Sequence, residues 1–291
     1  MMTDIQKTLP ALATGRVAVI TGGASGIGLA AAKKLAAMGM KIVMADRESP
    51  ALDRAAAGVA ALAPLGASAV LAAACDVSKP ADLTRLADTA FEKFGEVSFL
   101  MNNAGVGNNP GKPWESLDAW NALIDVNFWG VVHGVQAFGE RMLAQGTPAL
   151  IVNTGSKQGI TTPPGNLAYN VSKAAVKIYT EGLAHALRNE PDANISAHLL
   201  IPGFTYTGMT GVSVKPAGAW TGEQVVDFML ESLVRGDFYI LCPDNETKRA
   251  TDERRMAWAM GDIIKNRPAL SRWHPEYQEA FEGLLKLTEI G

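Results

Sequence analysis

Cysteine is nearly absent from this chain of 291 residues; only Cys75 and Cys242 occur. Two thiols cannot build a disulfide framework, so both are expected to be buried and reduced, in a cytoplasmic protein. Histidine is scarce as well. His133, His185, His198 and His274 are scattered without ligand spacing, and no metal is expected. No apolar run approaches the ~18 residues that a membrane-spanning helix requires. The first residues, "MMTDIQKTLPALATG", lack the basic and then apolar regions of a secretory signal. Neither sign of charge dominates. A net charge of −3 argues against nucleic acid or an anionic membrane as partner. Serine- and glycine-rich linkers, charge blocks and repeats are also missing. A single domain over 1–291 is therefore expected, with a core at about 15–242 and an extension at about 243–291.

What the chain does have is regular alternation. Short runs rich in β-branched residues occur at 16–21, 41–46, 69–76, 97–102, 149–154, 195–202 and 238–242. Most are apolar throughout, as for parallel strands covered on both faces. Helical patterns fall between them at about 26–38, 80–94, 118–145, 167–190 and 222–235, with a less regular one near 51–62. Gly39 and Gly95 sit where helix C-caps belong. The alternation predicts an α/β fold: a doubly wound, Rossmann-type parallel sheet of about seven strands with helices on both faces. The tail adds two helical patterns broken at Pro268 and Pro275. Its Met256, Trp258, Met260, Ile263 and Ile264 are expected to bury themselves on the main body or on another subunit.

The first strand runs into "TGGASGIG" (21–28) and then a helix. Glycine permits the tight turn and lets backbone approach a phosphate, while the helix N-terminus offers free N–H groups to an anion. Gly22, Gly26 and Gly28 follow G-x-x-x-G-x-G spacing, with Ser25 and Ile27 between them. Asp46 ends the second strand 18 residues after Gly28, near the ~20 expected for an acid that hydrogen-bonds a ribose. A carboxylate there would repel a 2′-phosphate, which favours NAD over NADP; Arg47 is the residue that could reverse this. The alternative is that Asp46 only caps a strand end.

"YNVSK" (169–173) sets a phenol and an amine on one helical face. With 5 Tyr and 14 Lys in the chain, about 0.24 such pairs are expected by chance, so the motif needs company. Ser156 supplies it, 13 residues upstream at the end of a strand, and Asn127 lies earlier in a helix. Taken singly, Ser156 could be a cap, Asn127 a buried structural amide, and the Tyr–Lys pair a surface pair.

Together with "CDV" (75–77), "NNAG" (102–105) and "PGFTYT" (202–207), these motifs resemble the short-chain dehydrogenase/reductase family, of the unextended type, over about 15–242. The resemblance implies that Tyr169 is the acid–base and that Ser156 holds the substrate oxygen. It further implies that Lys173 binds the nicotinamide ribose and depresses the tyrosine pKa, and that Asn127 anchors a water in a proton relay. Asp76 and Val77 would lie at the adenine, and Asn103, Ala104 and Gly105 along the cofactor. Pro202, Gly203, Thr205 and Thr207 would approach the nicotinamide. The activity implied is hydride transfer between NAD(H) and a secondary alcohol or ketone, in a homodimer or homotetramer.

The glycine-punctuated stretch 203–220 is expected to form a lid, with Phe204, Tyr206 and Met209 toward the substrate. Gln158, Pro163, Pro164 and Asn166 would form the other wall, near Val106 and Asn108. Lys157 and Lys177 fit no motif and are read as solvated or structural. Other readings stay open: an NADP-dependent carbonyl reductase, an epimerase or dehydratase of the extended type, an enoyl reductase, or a silent NAD-binding sensor.

Overall fold

A computed structural model describes residues 4–286. Its seven strands are β1 (Val17–Thr21), β2 (Lys41–Asp46), β3 (Val70–Ala74), β4 (Phe99–Asn102), β5 (Ala149–Thr154), β6 (Ile195–Ile201) and β7 (Tyr239–Leu241). They form one fully parallel sheet in the order 3-2-1-4-5-6-7. The helices are α1 (Asp4–Thr8), α2 (Gly26–Ala37), α3 (Pro50–Ala60), α4 (Pro80–Phe94), α5 (Leu117–Ile124), α6 (Gly130–Ala144) and α7 (Gln158–Thr161). They continue with α8 (Leu167–Asn189), α9 (Gly222–Val234), α10 (Arg249–Ile264) and α11 (Gln278–Lys286).

Period-2 alternation along the strands divides the core in two. Ala18, Ile20, Ile42, Met44, Phe99 and Met101 pack under α2, α3 and α9. Val17, Val19, Val43, Leu100 and Ile151 pack under α4, α6 and the end of α8. Both cysteines are buried, as expected. Desolvation pushes each thiol up to about 12. Local chemistry sets the helix ends. Thr221 and Gln224 form a reciprocal capping box on α9, and Gly95 ends α4 in the left-handed region at φ 82°.

The sheet order reverses between β1 and β4. In such sheets a crevice opens there, at the carboxyl ends of the strands. Glycine loop, β4 end and β5 end all meet at this point.

One expectation is corrected. The helix predicted over 118–145 is interrupted: a π turn, Asp125–Trp129, separates α5 from α6. Residue periodicity does not register the one extra residue that such a turn inserts. In the tail, Met256 packs on the cluster around Val176 and Leu199. Met260, Ile263 and Ile264, however, are 56, 76 and 75 % exposed. Helix α10 docks through its first half, at Asp252 and Met256, and its second half faces outward. Trp258 holds the rest of the tail together: its Nε1 donates to Ser271 Oγ at 2.8 Å, and its ring meets Phe281 edge-on. Among the described residues, no helix is long and apolar enough to cross a membrane.

Candidate active site

Thr21, the last residue of β1, clamps the two strand ends that form the site. Its hydroxyl oxygen accepts from the N–H groups of Asn103 (2.9 Å) and Ala104 (3.1 Å), and its carbonyl accepts from Asn103 Nδ2. The NNAG segment is thereby held against the glycine loop. A β-carbon on Gly22 would lie 2.9 Å from Ala104 Cα, and one on Gly28 would run into the Gly22 carbonyl. Gly22 and Gly26 also have φ of 66° and 53°. Ser25 is the N-cap of α2 but its side chain makes no capping bond, so the first-turn N–H groups remain available to an anion. Gly28 itself does not line the cleft; it lets the loop fold onto its own helix.

A cleft of about 780 Å³ opens along this edge, within the range usual for small-molecule sites. Gly22, Ser25, Gly26, Ile27, Asp46, Arg47, Asp76, Val77, Asn103, Ala104 and Gly105 line one end. Asp46 is already engaged: its Oδ2 accepts from Ala24 N (3.0 Å) and its Oδ1 from Arg47 N (2.8 Å). The capping reading is therefore correct as far as it goes, while each oxygen retains a second lone pair toward the cleft. Asp76 accepts from the Ser78 hydroxyl (2.7 Å) and N–H (3.1 Å). Those bonds, the hydroxyl's first, hold its carboxyl below the usual carboxylate range. These features suit a dinucleotide: an uncapped helix end for the diphosphate and carboxylates for hydroxyls and ring nitrogens. Expected at Gly28→Ala is a lower melting temperature and a dinucleotide Kd raised about tenfold, since overpacking typically costs about 1–3 kcal/mol. Unchanged thermal unfolding and unchanged fluorescence titration would contradict this.

At the other end lie Ser156, Tyr169, Lys173, Pro202, Gly203, Thr205, Thr207 and Met209. Asn166 caps α8 by accepting from Tyr169 N at 3.1 Å, which fixes where the tyrosine begins its turn. Lys173 is only 4 % exposed and donates from Nζ to Thr154 O at 2.8 Å. Its Nζ lies 5.8 Å from the Tyr169 ring centre. Burial lowers its pKa to about 8. Burial also pushes the Tyr169 phenol above its ordinary value, against a hydrogen bond from Ser156 that lowers it. Desolvation thus penalises the charged form of each group taken alone. Ionised together they are net neutral, and each charge offsets the cost of the other.

Asn127 is buried and does not line the cleft. Its Oδ1 accepts from Val106 N (2.7 Å) and its Nδ2 donates to Val106 O (2.9 Å) and Ser172 Oγ (3.2 Å). The side chain thus ties the cleft wall to α8 instead of facing the opening. Of the residues expected around the substrate, Val106, Asn108 and Met209 line the cleft. Gln158 and Pro164 are exposed. The Tyr206 hydroxyl donates to Ser213 O within its own loop, and Phe204 is 45 % exposed. Asn166 bonds Gly107 O and Asn108 O with its Nδ2, so it braces the wall from behind. Met209 does cross the opening: a β-carbon on Gly107 would lie 3.0 Å from its Cγ.

Sequence reading overlooked a buried amide relay under the site. Asn102 Nδ2 donates to Asn153 Oδ1 at 2.9 Å, and Asn153 Nδ2 donates to Thr180 Oγ1 at 3.1 Å. The polar Asn in the apolar run "ALIVNT" was its visible signal. Among the described residues, no group of His, Cys, Asp and Glu could hold a metal ion.

A family model described as short chain dehydrogenase matches residues 16–217. The chain is 34 % identical over 265 residues to 1-deoxy-11-beta-hydroxypentalenate dehydrogenase of Streptomyces exfoliatus, covering 89 % of this chain and 94 % of that one. It is also 34 % identical over 195 residues to the NADP-dependent (R)-specific alcohol dehydrogenase of Lentilactobacillus kefiri, covering 66 % of this chain and 74 % of that one. A short chain dehydrogenase/reductase of Burkholderia phymatum, solved in complex with NAD, superposes with a TM-score of 0.78 at 35 % identity, covering 87 % and 96 % of the two chains. With the parallel sheet, the glycine loop at its switch point and the Ser156–Tyr169–Lys173 cluster, these matches show that the chain belongs to the short-chain dehydrogenase/reductase family of oxidoreductases.

Proposed function

We propose that the protein is an NAD(H)-dependent dehydrogenase/reductase acting on a secondary alcohol or its ketone, with Tyr169 as acid–base. The observation that carries this is the gathering of Ser156, Tyr169 and the buried amine of Lys173 at one end of a cleft whose other end is a glycine loop. When bound, the nicotinamide supplies the hydride acceptor or donor. Gly22 to Gly28 and Asp46 hold the dinucleotide at one end, with Asn103 to Gly105 along its length. Ser156 Oγ positions the substrate oxygen. Tyr169 Oη, as the phenolate that Lys173 stabilises, takes the hydroxyl proton in oxidation, and as the phenol gives one up in reduction. Asn127 serves the proton exchange by holding Val106 and the π turn in place. Met209 and the Val106–Asn108 wall exclude water. An absorbance screen of NAD+ with secondary alcohols, and of NADH with ketones, tests the reading; cofactor binding with no turnover across the panel would favour a silent sensor.

Cofactor choice rests on Asp46. NADH is expected to exceed NADPH in kcat/KM at least tenfold, about 1.4 kcal/mol, through repulsion of a 2′-phosphate. Asp46→Ser should narrow that ratio. A wild-type preference for NADPH, as in the kefiri relative's name, would transfer the decision to Arg47. Exposed Trp114, Leu117 and Ile178 support assembly as a homodimer or homotetramer, which sedimentation measures.

A further inference from the structure

The residue after Ser156 is a lysine that leaves the cleft. Lys157 is 8 % exposed, and its Nζ lies 3.0 Å from Asp244 Oδ2 and 2.6 Å from Asp252 Oδ2. Asp252 is fully buried on α10, and its other oxygen is 3.3 Å from Arg255 Nη1. Asp244 follows β7, and its carboxylate also accepts from Thr247 N (2.6 Å) and Phe204 N (3.4 Å). One ammonium therefore joins three segments distant in sequence: the Ser156 turn, the 202–204 segment, and the C-terminal extension.

The backbone of Lys157 is bound as firmly. Its N–H donates to Pro202 O at 3.1 Å, and its carbonyl accepts from Thr161 N and Thr161 Oγ1, each at 2.9 Å. Helix α7 then lies directly on α8, because a β-carbon on Gly159 would sit 2.5 Å from the carbonyl carbon of Lys173. Gly203 makes room for the ion pair: a β-carbon there would lie 2.6 Å from Asp244 Oδ2 and 2.9 Å from Lys157 Nζ.

Buried ion pairs are poor stabilisers compared with apolar packing of the same volume, but they are demanding in geometry. Apolar side chains would have sufficed to dock α10. A charged triad at this point fixes where the chain on either side of it must lie. We infer that Lys157, Asp244 and Asp252 are positioning residues, through which the C-terminal extension sets the placement of Ser156 and of the 202–205 segment around the cleft. Insofar as it names Ser156, the inference rests on the hydride-transfer reading above.

The test is Asp252→Asn, which keeps the shape and the Lys157–Asp244 pair but removes the carboxylate that α10 contributes. Three quantities are measured: NADH Kd, kcat and KM on an alcohol from the screen, and amide hydrogen exchange. Expected are a kcat lowered about tenfold, an NADH Kd within about twofold of wild type, and faster exchange confined to 156–161 and 202–205. A kcat and a local exchange pattern both at wild-type values would overturn the inference, whatever happens to the melting temperature. If the wild-type protein turns over no alcohol or ketone, the hydride reading has failed while exchange in the two segments still decides this one. Should Asp252→Asn not fold, the combined variant Lys157→Met, Asp244→Asn, Asp252→Leu removes the triad's charges and is read in the same way.

Discussion

Tyr169→Phe is expected to abolish turnover, by about 10³-fold or more, while NADH still binds with an affinity close to wild type. The magnitude follows from the role. Positioned acid–base catalysis contributes about 10²–10⁴-fold, and phenylalanine has no proton to exchange at any pH. Binding should persist because most of the cleft belongs to the glycine loop, the NNAG segment and the ends of β2 and β3. Phenylalanine fills the same volume, so the fold has little to lose. The measurement is kcat/KM in both directions with fluorescence titration of NADH. A variant retaining a tenth of wild-type activity would remove Tyr169 from the mechanism.

Lys173→Met should lower alcohol oxidation near neutral pH by about 10²–10³-fold, and here the pH dependence is diagnostic. Burial already pushes the Tyr169 phenol upward. Without the neighbouring ammonium its phenolate has nothing to offset that cost, so the proton is held more tightly still. Oxidation needs the phenolate and should recover as pH rises. Ketone reduction needs the phenol and should be impaired less at low pH. Tyr169→Phe shows no such recovery, which separates the two variants. Stability is expected to change little. Thr154 O loses its donor, a cost of about 1 kcal/mol, while an ammonium whose burial lowers its pKa to about 8 is removed. Since Lys173 in the fold binds fewer protons than in the unfolded chain between pH 8 and its ordinary value near 10.5, wild-type stability gains a contribution as pH rises through that window. The methionine variant should lack it, and melting curves across that range check the sign.

The exposed apolar residues of α10 show how sequence and structure divide the information. Composition identified Met256, Trp258, Met260, Ile263 and Ile264 as side chains needing cover, and periodicity marked a helix. Which of them face inward depends on where α10 lands, with Asp252 against Lys157 and Met256 on the cluster around Val176. The π turn at Asn127 is similar. Asn127 was legible as a site residue from its motif, but its bonds to Val106 and Ser172 depend on a local change of helical pitch that side-chain patterning does not reveal. The proposed substrate wall was the least legible part. Gln158, Pro164, Phe204 and Tyr206 lie close in sequence to site residues, but turns rotate side chains through angles that proximity along the chain does not encode, so their placement about the cleft is not written in local pattern.

Legible in the chain were the features written in local patterns: seven strand runs, the helices between most of them, a glycine loop joining strand to helix, and a serine, tyrosine and lysine at set spacing. Each depends on residues within a few turns of one another, where backbone geometry allows little choice. Features that depend on distant partners came from packing. It placed Thr21 against Asn103, 82 residues away, and Lys157 against Asp244, 87 residues away. It also set the net direction of the Tyr169 pKa, because desolvation is a property of everything packed around a group and has no signature in the neighbouring sequence.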